Sequence, residues 1–234
     1  NHQYMHQATL NIVGACAPSL GAIAGGVTPR ATWPIGEVTA TRDALAAAFP
    51  TDDRWGAAAV IDECRRTLPD DTIATVDSGA HRILLSQMWT THSPRSLLQS
   101  TALCTMGCAV PLAVGAKLAT PEATVACFSG DAGFLMVAGE LSTVAELGLP
   151  VIFVVFVDAS LALIEKKQRE RQMTNLAVDF DRHDFAAIGR AFGGQGVRVR
   201  NRAELRAALQ EAQGADTFTV IAAEIDRGSY DDRI

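Results

Sequence analysis

Three short stretches of the chain set an aspartate among small residues: Asp77-Ser78-Gly79, Ser129-Gly130-Asp131-Ala132-Gly133 and Asp158-Ala159-Ser160. Each directly follows an apolar, β-prone run, at residues 72–76, 124–128 and 151–157. In open parallel sheets ligands bind beyond the carboxyl ends of the strands, so these are the places where chemistry is expected. The glycines around Asp131 let backbone amides approach a phosphate closely, and they leave a helix amino terminus facing it. Phosphate beside two carboxylates is repulsive unless a hard cation lies between them. Magnesium, which takes oxygen ligands and readily shares phosphate oxygens, fits that need. The residues therefore read as a magnesium–diphosphate site built on Asp131 and Asp158, while either aspartate alone has the plainer reading of a helix N-cap. Other phosphate motifs are absent: there is no G-x-x-x-x-G-K-[ST] and no G-x-G-x-x-G. A phosphotransferase or dehalogenase-like hydrolase would want a catalytic lysine, and the chain's lysines are Lys117, Lys166 and Lys167.

The elements that must position these stretches alternate between strand-length apolar runs and helical patterns. That alternation predicts an α/β fold with a mainly parallel sheet and helices on both faces. Strands are expected at 9–13, 72–76, 124–128, 151–157, 196–199 and 217–224. Helices are expected at 17–24, 38–49, 54–68, 110–118, 137–147, 161–173, 183–192 and 202–212. Thr51, Asp52 and Asp53 are the candidate caps of the third helix. The unbroken apolar run 151–157 suits a central strand buried on both faces. Between Gly25 and Gly36 the chain is rich in Gly and Pro without periodicity and reads as a linker. Residues 1–36 are then the tail of a preceding domain plus that linker, and 37–234 form the domain with the aspartates.

The chain has 234 residues, 48% hydrophobic and 20% charged, which is ordinary globular composition. A net charge of −6 argues against nucleic-acid binding through phosphate neutralisation. The one cationic run, Lys166 to Arg171, is interspersed with glutamates and reads as a solvated helix face. No apolar run approaches the roughly 20 residues of a membrane span. Five cysteines, Cys16, Cys64, Cys104, Cys108 and Cys127, include no C-x-x-C pair. They read as buried reduced thiols in a cytoplasmic protein. The first residues lack a signal-peptide layout and Asn1 opens without Met, so a fragment of a longer polypeptide is expected.

Read in order, the motifs resemble the thiamine-diphosphate enzymes, in particular their acetolactate synthase-like branch. The family motif begins Gly-Asp-Gly and closes some two dozen residues later in Asn or Asp. Here Gly130-Asp131-Ala132 opens it, Phe134-Leu135-Met136 and Glu140-Leu141-Ser142-Thr143 follow, and Val157-Asp158 closes it. Upstream, Thr105-Met106-Gly107, Ala109-Val110-Pro111 and Gly115-Ala116-Lys117 look like the segment that cradles the cofactor's two rings. The resemblance runs from about Asp71 to the C-terminus. It implies that Asp131 and Asp158 bind Mg²⁺ through their side chains and Ser160 through its carbonyl. Gly130, Ala132 and Gly133 would cradle the diphosphate, with Ser78, Gly79, Ala80 and His81 on its other side. Met106 would prop the bent cofactor, the Cys104 backbone would hold the pyrimidine amino group, and Leu161 and Ala162 would border the reactive end. Taken alone, Met106 reads as core filler and His81 as a helix-surface residue.

Two departures stand out. Ala132 replaces the usual glycine, which matters if that position needs positive φ. Asp158 stands where many members have Asn, a pattern that resembles the catabolic, flavin-free acetolactate synthases, as do Leu163-Ile164, Gln168 and Val178-Asp179-Phe180. The family's activating glutamate lies in a separate pyrimidine-binding domain, usually of a neighbouring subunit in a homodimer or tetramer, and nothing in this chain matches it. Glu140 reads as a structural carboxylate. The implied function is the cofactor-binding part of a carboligase or decarboxylase acting on a small 2-keto acid such as pyruvate. The alternatives are a different 2-keto acid, or a non-catalytic module that keeps the fold.

Overall fold

The computed structural model describes residues 8–30, 33–51 and 54–234. The chain divides into two compact units, Asn1–Asp43 and Ala44–Ile234. The first holds α1 (Cys16–Gly25) and the start of α2 (Glu37–Ala48), neither of which buries a residue. The strand expected at 9–13 does not form: these residues are irregular, and Leu10, Ile12 and Val13 are exposed. An isolated extended segment has no neighbour to take up its amides and carbonyls, so β propensity alone does not make it a strand. Ala31 and Thr32 of the expected linker lie outside the described residues.

The second unit is built on a six-stranded, all-parallel sheet in the order β2-β1-β3-β4-β6-β5. Its strands are β1 (Ile73–Val76), β2 (Leu97–Gln99), β3 (Val125–Gly130), β4 (Ile152–Val157), β5 (Gln195–Val199) and β6 (Thr219–Glu224). The helices, in chain order, are α3 (Ala57–Thr67), α4 (Ala80–Met88), α5 (Ala109–Ala119), α6 (Asp131–Met136), α7 (Glu140–Glu146), α8 (Ala162–Glu170), α9 (Phe185–Ala191) and α10 (Arg202–Gln213). A 3-10 turn, Arg227–Tyr230, follows β6.

Side-chain alternation along the strands divides the core in two. Ile152, Val154 and Phe156 of β4 pack with α3, α4 and α10 on one face, and Phe153, Val155 and Val157 with α5, α6, α7 and α9 on the other. This is why the run reads as continuously apolar: all of β4 is buried. Glu63, 1% exposed on α3, is held by Arg206 Nε of α10 at 2.7 Å. Asn201 and Asp184 cap α10 and α9, each accepting a backbone amide at 2.9 Å.

Several expected boundaries are corrected. The helix expected at 137–147 is α7 alone, starting at Glu140, and α6 is a separate helix before it, parted from α7 by residues 137–139. The third helix starts at Ala57 behind Gly56, with no side-chain cap. Thr51 therefore does not cap it, and Asp52 and Asp53 lie outside the described residues. Helix α4 and strand β2 went unforeseen. The Lys166–Arg171 run does form a solvated helix face, laced by the Lys166–Glu170 and Arg169–Glu165 pairs. All five cysteines are free, but Cys64 and Cys127 alone are buried; Cys104 and Cys108 are half-buried and Cys16 is exposed.

Candidate functional site

The three aspartate stretches leave the carboxyl ends of β1, β3 and β4, which are adjacent in the sheet. They meet at a cavity of about 230 Å³. Every residue that the resemblance implies at the cofactor lines it, whereas Asp77 does not. Ser78 to His81 come from the turn into α4, and Cys104 and Met106 from the loop before α5. Gly130 to Gly133 come from the β3–α6 junction, and Asp158, Ser160, Leu161 and Ala162 from the β4–α8 junction. Leu163 and Ile164 extend the apolar wall. Phe156 and Tyr230 complete the lining and were not foreseen. Phe156 looks in sequence like any other residue of β4, and Tyr230 lies in a short C-terminal stretch without periodicity.

Because β3 and β4 pair in parallel with Gly130 opposite Phe156, Asp131 and Asp158 emerge side by side. They are 2% and 4% exposed. Asp131 accepts the Ala132 amide at 2.8 Å and the Ala159 amide at 2.7 Å. Asp158 accepts the Ser160 amide at 3.1 Å. Burial raises the Asp131 carboxyl above its ordinary range, with those amides opposing. Asp158 is pushed up to about 7, by burial first and then by the negative charge of Asp131. Two acids in this state are poised for a cation, which would favour both charged forms at once. Among the described residues no group of three or more His, Cys, Asp or Glu is arranged for a metal. An ion held here would draw its remaining oxygens from the backbone, water and a ligand.

The third aspartate is spent on scaffolding. Asp77, fully buried, accepts the Gly107 amide at 2.8 Å, the Cys108 amide at 3.1 Å and the Ser129 hydroxyl at 3.1 Å. It thereby ties β1, β3 and the loop carrying Met106 into one corner. Gly133 must be glycine for the same reason, since a Cβ there would fall on Asp77 Oδ2.

His81 is buried rather than on a helix surface. Its ring stacks on Phe156 with centroids 5.4 Å apart, and burial holds its pKa down to about 4. A Cβ on Gly79, whose φ is +155°, or on Gly130 would crowd that ring at 2.8 and 3.3 Å. Met106 is half-buried at the cavity instead of filling the core. Ala132 lies within α6 and is not among the residues with positive φ, so its methyl meets no backbone penalty. Glu140 is exposed at the start of α7 and does not line the cavity. Two buried cavity atoms, His81 Nε2 and Ser160 Oγ, have no hydrogen-bond partner among the described residues. Buried polar atoms ordinarily find partners, so these two are suited to a polar ligand.

Residues 77–223 match the family described as thiamine pyrophosphate enzyme, C-terminal TPP binding domain. The chain belongs to this family. Among curated relatives it is 31% identical over 182 residues to the acetolactate synthase of Bacillus subtilis (strain 168), covering 78% of this chain and 31% of that protein. It is 35% identical over 171 residues to the acetolactate synthase large subunit of Parasynechococcus marenigrum (strain WH8102), covering 70% and 27% respectively. The chain thus spans about a third of the length of the curated relatives it matches. The fold is shared with benzoylformate decarboxylase from Polynucleobacter necessarius, at a TM-score of 0.66 and 22% identity over 72% of this chain and 33% of that one. Among the described residues no helix is long and apolar enough to cross a membrane.

Proposed function

We propose that this chain is the magnesium–thiamine-diphosphate-binding part of an acetolactate synthase-like carboligase that acts on pyruvate. The observation that carries the reading is the pair of buried, mutually repelling carboxylates, Asp131 and Asp158, at the head of a cavity whose wall holds two polar atoms without a partner among the described residues. The residues present fit the group. Asp131 and Asp158 would hold Mg²⁺ through their carboxylates and Ser160 through its carbonyl. Gly130, Ala132 and Gly133 would present amides to the diphosphate, with Ser78, Gly79, Ala80 and His81 opposite. His81, kept neutral by burial, offers a nitrogen there without a charge. Met106 and the Cys104 backbone would fix the ring end.

When bound, thiamine diphosphate supplies the carbanion chemistry of 2-keto acid cleavage. The protein supplies position, charge and dryness. Leu161, Ala162, Leu163 and Ile164 make the donor side of the cavity apolar, which suits a small keto acid and excludes water. Exclusion of water favours a second carbonyl over a proton as the partner in the bond-forming step, hence carboligation over simple decarboxylation. In this reading residues 1–36 are the tail of a preceding central domain with its linker, and 37–234 the cofactor-binding domain. The activating glutamate comes from the pyrimidine-binding domain of a neighbouring subunit in a homodimer or tetramer. Free cysteines suit a reducing, cytoplasmic setting.

Incubating the full-length enzyme with pyruvate, Mg²⁺ and thiamine diphosphate and separating the products tests this. Acetolactate is the expected product. Acetaldehyde alone, or activity only on an aromatic keto acid, overturns the assignment.

A further inference from the structure

The loop after β4 has an unusual set of ties. Ala159 adopts φ +58°, left-handed backbone for a residue with a side chain. Its amide is held by Asp131 at 2.7 Å, and its carbonyl accepts the Phe180 amide at 3.3 Å. Ser160 and Asp179 form an antiparallel bridge, and the Leu161 amide reaches the Val178 carbonyl at 2.7 Å. A single side chain closes this arrangement from the C-terminal turn. Arg227 donates from Nε to the Asp158 carbonyl at 3.2 Å and from Nη2 to the Ala159 carbonyl at 3.1 Å. Its Nη1 lies 3.1 Å from Asp179 Oδ1. Three residues on, Tyr230 enters the cavity, and Asp231 of the same segment pairs with Arg169 of α8 at 2.7 Å.

We propose that Arg227 is the positioning residue of the cation site: its guanidinium clamps the carbonyls of Asp158 and Ala159 against Asp179, and so fixes the Asp158 carboxylate and the Ser160 carbonyl for the metal. The inference rests on the magnesium reading above. The planar fork explains why arginine stands here. Three acceptors in three directions match guanidinium donors, whereas a lysine ammonium on a flexible stem would engage them one at a time. Arg227 touches neither cofactor nor substrate and acts through the loop alone. Its side chain is 51% exposed, so replacing it leaves the core intact.

The test compares the wild-type chain with Arg227→Met and Arg227→Lys by two readouts. Hydrogen exchange, measured without ligand, is expected to quicken at least tenfold at the Leu161 and Phe180 amides in Arg227→Met, with β6 unchanged. Calorimetric titration with thiamine diphosphate over a series of Mg²⁺ concentrations is expected to show a half-saturating Mg²⁺ raised at least tenfold. Affinity for the cofactor at saturating Mg²⁺ should change less than threefold, with Arg227→Lys intermediate in both readouts. Unchanged exchange overturns the clamp. Faster exchange with an unchanged Mg²⁺ midpoint makes Arg227 a structural tie only and overturns the positioning role. Absence of Mg²⁺-dependent binding by the wild-type chain overturns the cofactor reading itself, and the role of Arg227 with it.

Discussion

Burying two like charges side by side ordinarily costs stability, and Asp131 and Asp158 carry that cost as long as no cation lies between them. At pH 8 Asp158, pushed up to about 7, is largely ionised in the fold. Asp158→Asn keeps an oxygen for the Ser160 amide and removes the charge. It should raise the melting temperature of the ligand-free chain at pH 8 by about 2–4 °C, corresponding to roughly 1 kcal/mol for a chain of this size. A lower melting temperature would contradict the electrostatic account. Asp131→Ala should abolish Mg²⁺-dependent thiamine diphosphate binding in calorimetry, and unchanged affinity would remove Asp131 from the site. His81 has the opposite pH sign. Its folded pKa, about 4, is depressed below the ordinary 6.5. Its contribution is therefore complete above pH 6.5 and is lost as pH falls towards 4, because the unfolded chain takes a proton the fold refuses. Urea unfolding of wild type and His81→Asn at pH 7.5 and pH 5 should show the wild type losing more stability than the variant. Taking the difference between the two cancels the opposing trend of Asp158.

At the scale of elements, α6 decides what the glycine-to-alanine departure at position 132 means. Ala132 sits in regular helix, so Ala132→Gly should cost about 0.5–1 kcal/mol through backbone entropy and leave cofactor affinity within about twofold. Its neighbour behaves differently. Gly133→Ala drives a methyl onto the Asp77 carboxylate, which holds the Gly107 and Cys108 amides and the Ser129 hydroxyl. A loss of about 1–3 kcal/mol is expected from overpacking, read as a lower urea midpoint. If both variants matched wild type, the corner tied by Asp77 would not be the constraint described.

For the whole molecule, the expectation is that the 234-residue chain binds without turning over. Position and charge without an acid–base partner leave the reaction's proton transfers unassisted. Thiamine diphosphate with Mg²⁺ should raise its melting temperature in a concentration-dependent way, as for any ligand of the native state. Carbon dioxide release from pyruvate should stay at background. Robust release by the purified chain would show that the glutamate proposed to come from a neighbouring subunit is not needed.

The sequence alone determined the α/β class, most helices and five of the six strands of the sheet, because buried strands and amphipathic helices impose their periods locally. It also marked Asp131, Asp158 and the small residues around them, since their position just past an apolar run is a local signal. Three-dimensional packing decided the rest. Only the pairing of β3 with β4 sets the two aspartates side by side, and only the corner around Asp77 shows that the third serves as scaffold. The strand expected at 9–13 failed for want of a neighbouring strand, which no local propensity can supply. Phe156, Tyr230 and Arg227 reach the site or its loop across the sheet or from the far end of the chain. Such contacts leave no pattern in sequence, because burial and direction are fixed by which elements happen to pack together.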